Sequence, residues 1–108
     1  MKKSFMDIIK SNIVYTLYRT CGACPEQYDV VRDGKQVGYL RLRHGTFRVD
    51  CPDCGNETVL RTSEVKGNGI FDCDERHFWL NAAIEAIDQH LSLNPELLEQ
   101  AYSYDSNR

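Results

Sequence analysis

Two Cys-x2-Cys units, Cys21-Gly22-Ala23-Cys24 and Cys51-Pro52-Asp53-Cys54, constrain this chain more than any other feature. Two residues between thiols let one tight turn aim both sulfurs at a single ion, while nearby glycine and proline permit the turn and free N–H groups to donate to sulfur. Two such turns complete a tetrahedron. The spacing therefore predicts one structural Zn2+ held by Cys21, Cys24, Cys51 and Cys54, with two antiparallel hairpins meeting at their tips as in zinc ribbons. Four thiolates would close the coordination shell, leaving no open position for chemistry. On these grounds zinc is expected to be needed for folding, and Cys51→Ser to lose both metal and cooperative unfolding.

Other uses of the same residues fit less well. Cys21-Gly22-Ala23-Cys24-Pro25 is similar to a thioredoxin-like redox pair, but such a pair sits at a helix N-terminus, and Glu26 to Arg32 reads as strand. Reduced, buried thiols are the plain alternative. Cys73, between Asp72 and Asp74, reads as a spare thiol; His44, His77 and His90 are candidates to replace a cysteine ligand, although a surface histidine is the commoner case.

The length of 108 residues fits one zinc-stabilised domain over 1–102, with a frayed polar tail at 103–108. No apolar run approaches the roughly 20 residues needed to span a bilayer, and Met1 to Asn12 lacks a signal-peptide pattern. A cytoplasmic protein is expected. Five cysteines, an odd number, make a poor disulfide framework, which again favours metal. The net charge of −3 is unevenly spread: residues 1–50 carry +4 and residues 51–108 carry −7. That balance counts against general affinity for free nucleic acid.

Along the chain, Phe5 to Ile9 suggests a short helix ending near Ser11-Asn12, followed by a β-rich section. Strands are predicted at Ile13–Thr20, Glu26–Arg32, Gln36–Arg43, Thr46–Cys51 and Glu57–Thr62, with tight turns at Asp33-Gly34 and His44-Gly45. Asp72 with Glu75 forms a capping-box pattern for a long amphipathic helix, whose Trp79, Leu80, Ala83, Ile84, Ile87 and Leu91 make an apolar stripe opposite Asn81, Glu85, Asp88 and Ser92. Pro95 starts a short second helix. The expected fold is α+β: a zinc-ribbon-like antiparallel sheet of four or five strands with one long helix on a face and short helices at the termini.

Pairing Arg43 with Thr46 across the His44-Gly45 turn puts Leu40, Leu42, Phe47 and Val49 on the helix-covered face. The other face then presents Tyr39, Arg41, Arg43 and Arg48, with Val37, and with Tyr28 and Val30 if Asp33-Gly34 is a two-residue turn. Tyrosine and arginine are enriched where proteins dock, so Tyr39, Arg41, Arg43 and Arg48 are the candidate partner surface. The alternative is that the N-terminal segment covers the apolar part and the arginine stems pack over its rim. The acidic residues on and around the helices read mainly as a solvated face.

The segments Gln36 to Val49, Gly69-Ile70-Phe71-Asp72 and Trp79-Leu80-Asn81-Ala82-Ala83 resemble those of small phage and prophage proteins, a group similar to zinc-containing anti-CRISPR proteins. That resemblance implies a non-enzymatic inhibitor which binds a type II RNA-guided nuclease directly, and it carries over no residue-level motif. The residues themselves offer no nucleophile–base pair or phosphate loop. A zinc-ribbon nucleic-acid-binding module, using the knuckles and the Tyr39, Arg41, Arg43, Arg48 face, is the alternative.

Overall fold

Three hairpin turns set the sheet. Ser11-Asn12, Asp33-Gly34 and His44-Gly45 hold both residues at positive φ, at 54° and 63°, 53° and 75°, and 53° and 76°. These are the signs of a type I′ turn, whose twist matches that of flanking antiparallel strands. In the computed structural model, which describes residues 4–21 and 25–105, they join β1 (Phe5–Lys10) to β2 (Ile13–Arg19), β3 (Glu26–Arg32) to β4 (Lys35–Arg43), and β4 to β5 (Thr46–Cys51). With β6 (Glu57–Thr62) the strands form one antiparallel sheet in chain order, β1 to β6. Two helices follow, α1 (Arg76–Leu93) and α2 (Glu96–Gln100). No helix of the described residues is long and apolar enough to cross a membrane.

The α+β class is as expected, but the sheet has six strands rather than four or five. The extra one is β1, where a short helix was predicted. A stretch this short cannot sustain a helix on its own. The Ser11-Asn12 turn instead folds it back on β2, pairing Phe5 with Tyr18 through to Lys10 with Ile13.

A bulge decides which side chains reach the core. Val30 pairs with Gly38 but Val31 with Gln36, leaving Val37 as an extra residue on β4. Without it, the two-residue turn would set Tyr28 beside Tyr39 on the open face; with it, Tyr28 lies beside Leu40 and faces the helix. Tyr28, Val30 and Val37 are accordingly buried in the core, contrary to the sequence-based expectation. The core is completed by Tyr15, Leu17, Leu40, Leu42, Phe47 and Val49 of the sheet and Leu80, Ala83, Ile84, Ile87 and Leu91 of α1. Each fully buried Leu or Ile contributes about 1.5–3 kcal/mol from desolvation alone. Gly38 lets helix and sheet approach, since a Cβ there would lie 2.5 Å from Ile87 Cδ1.

The helix begins later than its capping pattern implies. Asp72 to Glu75 form a preceding turn, with Glu75 N and Arg76 N both donating to Asp72 O, and α1 starts at Arg76. Glu75 does reach back to Asp72 N, at 3.1 Å, but it also accepts from Lys66 N and Gly67 N at 2.8 Å and from Trp79 Nε1 at 3.1 Å. Burial alone would raise its pKa; these donors outweigh burial and hold it low. Asp88, expected on the solvated side of α1, is buried and accepts from Tyr15 Oη at 2.6 Å and Ser11 Oγ at 3.0 Å. Residues 102–105 are anchored too: Gln36 N donates to Tyr102 O, Tyr104 N to Gly34 O, and Tyr104 Oη to Asp29 at 2.7 Å. Residues 106–108 of the expected frayed tail lie outside the described residues.

Beneath α1 lies a buried carboxylate, Glu26. It accepts from Arg76 Nε and Nη2 at 2.9 and 3.1 Å, from Phe71 N at 3.0 Å, and from the Tyr28 hydroxyl. Burial pushes its pKa up, but the Arg76, Tyr28 and Phe71 bonds outweigh that and hold it below the usual range. The unfolded chain, with a glutamate pKa of about 4.3, then binds the proton more readily than the folded one. This stabilisation is present above that value and is lost as pH falls through the lower folded pKa. Glu26→Gln should therefore cost about 3–5 kcal/mol at neutral pH and weaken the loss of stability between pH 5 and pH 2, both read from urea melts. Gly67→Ala provides a second check: its Cβ would fall 1.9 Å from Ile70 O, a backbone atom, and the expected loss is about 3 kcal/mol by the same assay.

Candidate functional site: the arginine face of the sheet

Successive turns of a meander alternate between the two ends of the sheet. The segment carrying Cys21 joins β2 to β3 at the end where His44-Gly45 lies, and Arg19 Nε donates to Cys21 O there at 3.1 Å. Cys51 and Cys54 flank the β5–β6 turn at the opposite end, where Asp53 Oδ1 accepts from Gln36 Nε2 at 3.0 Å. The levels of Glu26 and Cys51 differ by four residues of β4, about 13 Å, and β3 and β5 stand about 10 Å apart laterally. Sulfurs on one zinc lie within about 4 Å of each other. The structure therefore does not bring Cys21 together with Cys51 and Cys54; Cys24 lies outside the described residues. Among the described residues no group of three or more His, Cys, Asp or Glu is arranged to hold a metal ion.

The individual thiols sit in different surroundings. Cys51 is buried among core residues, and burial, then the Asp50 and Glu57 charges, push its thiol up to about 12. Cys54 and Cys73 are exposed, with Cys54 Sγ 4.0 Å from Arg48 Nη2. His44 and His77 are exposed, while His90 Nδ1 lies 3.6 Å from Glu57.

The structure does bring Tyr39, Arg41, Arg43 and Arg48 to one face, and it adds a residue that sequence alone did not single out. Arg41 on β4 stands directly opposite Arg48 on β5, which stands directly opposite Arg61 on β6. Three guanidinium stems thus form a row across three strands. Arg43 stands two residues along β4 from Arg41, paired with Thr46, and the group encloses a shallow depression of about 240 Å³ that His44 also borders. Arg61 was hidden because a second shift, between Val49 and Asp50, sets which β6 residue faces Arg48.

Counter-charge is sparse. Among the described residues Arg41, Arg43 and Arg61 form no ion pair. Arg48 Nε lies 3.3 Å from Asp50 Oδ2, yet it lacks the alignment of a hydrogen bond and has no other partner. Asp50 is itself buried and already accepts from Gly55 N at 2.9 Å and Thr58 Oγ1 at 2.7 Å. Like charges directly opposite in a sheet oppose folding, here by a few tenths of a kcal/mol per pair because water screens them. Such an arrangement is best relieved by an anionic ligand lying across the strands. Tyr39 borders the row and donates its hydroxyl to Gln27 Oε1 at 2.8 Å.

Comparison with family models, with curated proteins and with solved structures gave no match.

Because the core is apolar and continuous from sheet to helix, the fold should not depend on a metal ion. Thermal melts with and without a strong chelator should agree within about 2 °C. Loss of cooperative unfolding on chelation would show instead that a bound metal ion holds the fold.

Proposed function

We propose that this chain is a non-enzymatic binding protein that docks an acidic surface of a protein partner onto the arginine half of its open sheet face. The carrying observation is the direct opposition of Arg41, Arg48 and Arg61, which costs the free protein stability and is compensated when carboxylates lie across it. Tyr39 supplies an amphipathic side chain at the rim, of the kind enriched at binding hot spots. The type II RNA-guided nuclease implied by the resemblance is the first partner to try.

A second reading is supported by the same row, since guanidinium groups also pair with phosphates. Single-stranded DNA or RNA would then lie across β4 to β6. The −7 carried by residues 51–108 works against an extended nucleic-acid track, so a protein partner is the better fit.

The test is binding of purified protein to the nuclease complex and, separately, to random single-stranded DNA and RNA at two salt concentrations. Charge reversal of Arg41, Arg43 and Arg48 together should weaken partner binding about tenfold or more while leaving the melting curve cooperative. Undiminished affinity in that variant would remove this face from the interface. Salt-sensitive nucleic-acid binding without nuclease binding would favour the second reading.

A further inference from the structure

We infer that the depression within the arginine face is the seat of one phosphate monoester, the phosphorylated serine or threonine of a protein partner. This rests on the docking reading above and names the group that anchors it.

The cations of the open face are gathered at one spot. Arg41, Arg43, Arg48 and Arg61 all line a single depression of about 240 Å³, and His44 and Thr46 complete its wall. No carboxylate lines it, and residues 1–3, 22–24 and 106–108, outside the described ones, include no Asp or Glu. Among the described residues Asp50 is the one acid within ion-pair distance of any of the four, and it is already engaged by Gly55 N and Thr58 Oγ1.

Four guanidinium groups around so small a volume call for more charge than a carboxylate brings. A carboxylate has one charge and a two-oxygen edge that a single arginine fork fills. Two or three of them in one depression, from a partner or from a second copy of this chain, would repel one another. A phosphate monoester carries about −1.5 to −2 at neutral pH on three acceptor oxygens, enough to engage several forks at once.

The same confinement counts against a polymer of phosphates, which needs cations to continue along its track. The other Lys and Arg of the described strands turn to the helix side: Lys10 lies 3.7 Å from Glu85, Arg19 4.0 Å from Glu26, Arg32 bonds Tyr15 and Lys35 bonds Leu98 O. On the open face β1 and β3 present Asp7 and Asp29 instead. A free phosphorylated metabolite is also a poor fit, since a shallow depression leaves the rest of such a molecule in water. A phosphorylated side chain has the surrounding face, Tyr39 included, to support the protein that carries it.

The probes are three capped, fluorescent peptides: Ala-Gly-Ala-pSer-Ala-Gly-Ala, the same sequence with Glu at the centre, and Ala-Gly-Glu-Glu-Glu-Gly-Ala. Each is titrated with the full chain at one ionic strength and read by anisotropy. The phosphoserine peptide should bind saturably and at least about tenfold tighter than either carboxylate peptide. Arg61→Gln should weaken its binding about fivefold or more, and Arg48→Lys, which keeps the charge but loses the fork, about threefold, with cooperative urea melts in both. Inorganic phosphate should displace the labelled peptide only at about tenfold or more the concentration of unlabelled phosphoserine peptide that does so, and a 5′-phosphorylated oligonucleotide should bind no tighter than that peptide. Equal binding of the phosphoserine and triple-glutamate peptides would overturn the phosphate assignment and leave the docking reading standing. That reading is judged separately, by binding of the whole partner to the triple charge-reversal variant. Absence of saturable binding, equal competition by free phosphate, tighter binding of the oligonucleotide, or a wild-type dimer that Arg61→Gln disperses would each overturn the inference.

Discussion

The buried carboxylate of Glu26 ties together pieces of chain that have no other reason to meet at one point. It sits at the start of β3, accepts two bonds from the Arg76 guanidinium at the start of α1, and receives Phe71 N from the segment that leads into the helix. Arg19 of β2 approaches to 4.0 Å. A charge this deep is costly unless every oxygen is occupied, so the site constrains its neighbours to one arrangement. Glu75 acts alongside it, binding the 66–72 segment to the first turn of α1. Together they place the helix over one face of the sheet and so leave the other to solvent.

Much of this was legible in the sequence because local chemistry dictates it. Asp33-Gly34 and His44-Gly45 specify hairpin turns wherever they occur between strands, and the apolar stripe from Leu80 to Leu91 specifies a helix against a sheet. Errors arose where a non-local term won. Phe5 to Ile9 has too little pattern to choose between helix and strand, and the neighbouring β2 edge decides. The Val37 bulge is a one-residue event with no signature, yet it turns Tyr28 and Val30 from the open face to the core. Asp88 reads as a surface charge and nothing local marks Glu26 as buried, because their partners Tyr15 and Arg76 stand 73 and 50 residues away.

The cysteine pairs teach a different lesson. Their spacing favours one ion, but three predicted strands separate them, and an odd number of passes through a meander delivers the two turns to opposite ends. Connectivity therefore sets where each pair lies along the sheet. The Tyr39, Arg41, Arg43 and Arg48 face rests instead on the single His44-Gly45 hairpin, whose register is short-range and came through intact, with Arg61 joining it from a strand whose own register is shifted.

The anchoring of residues 102–105 has a consequence for how the molecule comes into being. The Asp33-Gly34 hairpin is among the earliest structures the chain can form, yet Asp29 meets Tyr104 across 75 residues of sequence, and Lys35 Nζ meets Leu98 O across 63. Contacts of such span carry a large loop-closure cost and slow the final step of folding. During synthesis the sheet must wait, with its helix-facing side open, until α1, α2 and the segment beyond them have left the ribosome. That interval is when the exposed faces of a half-built sheet are most prone to find the wrong strand.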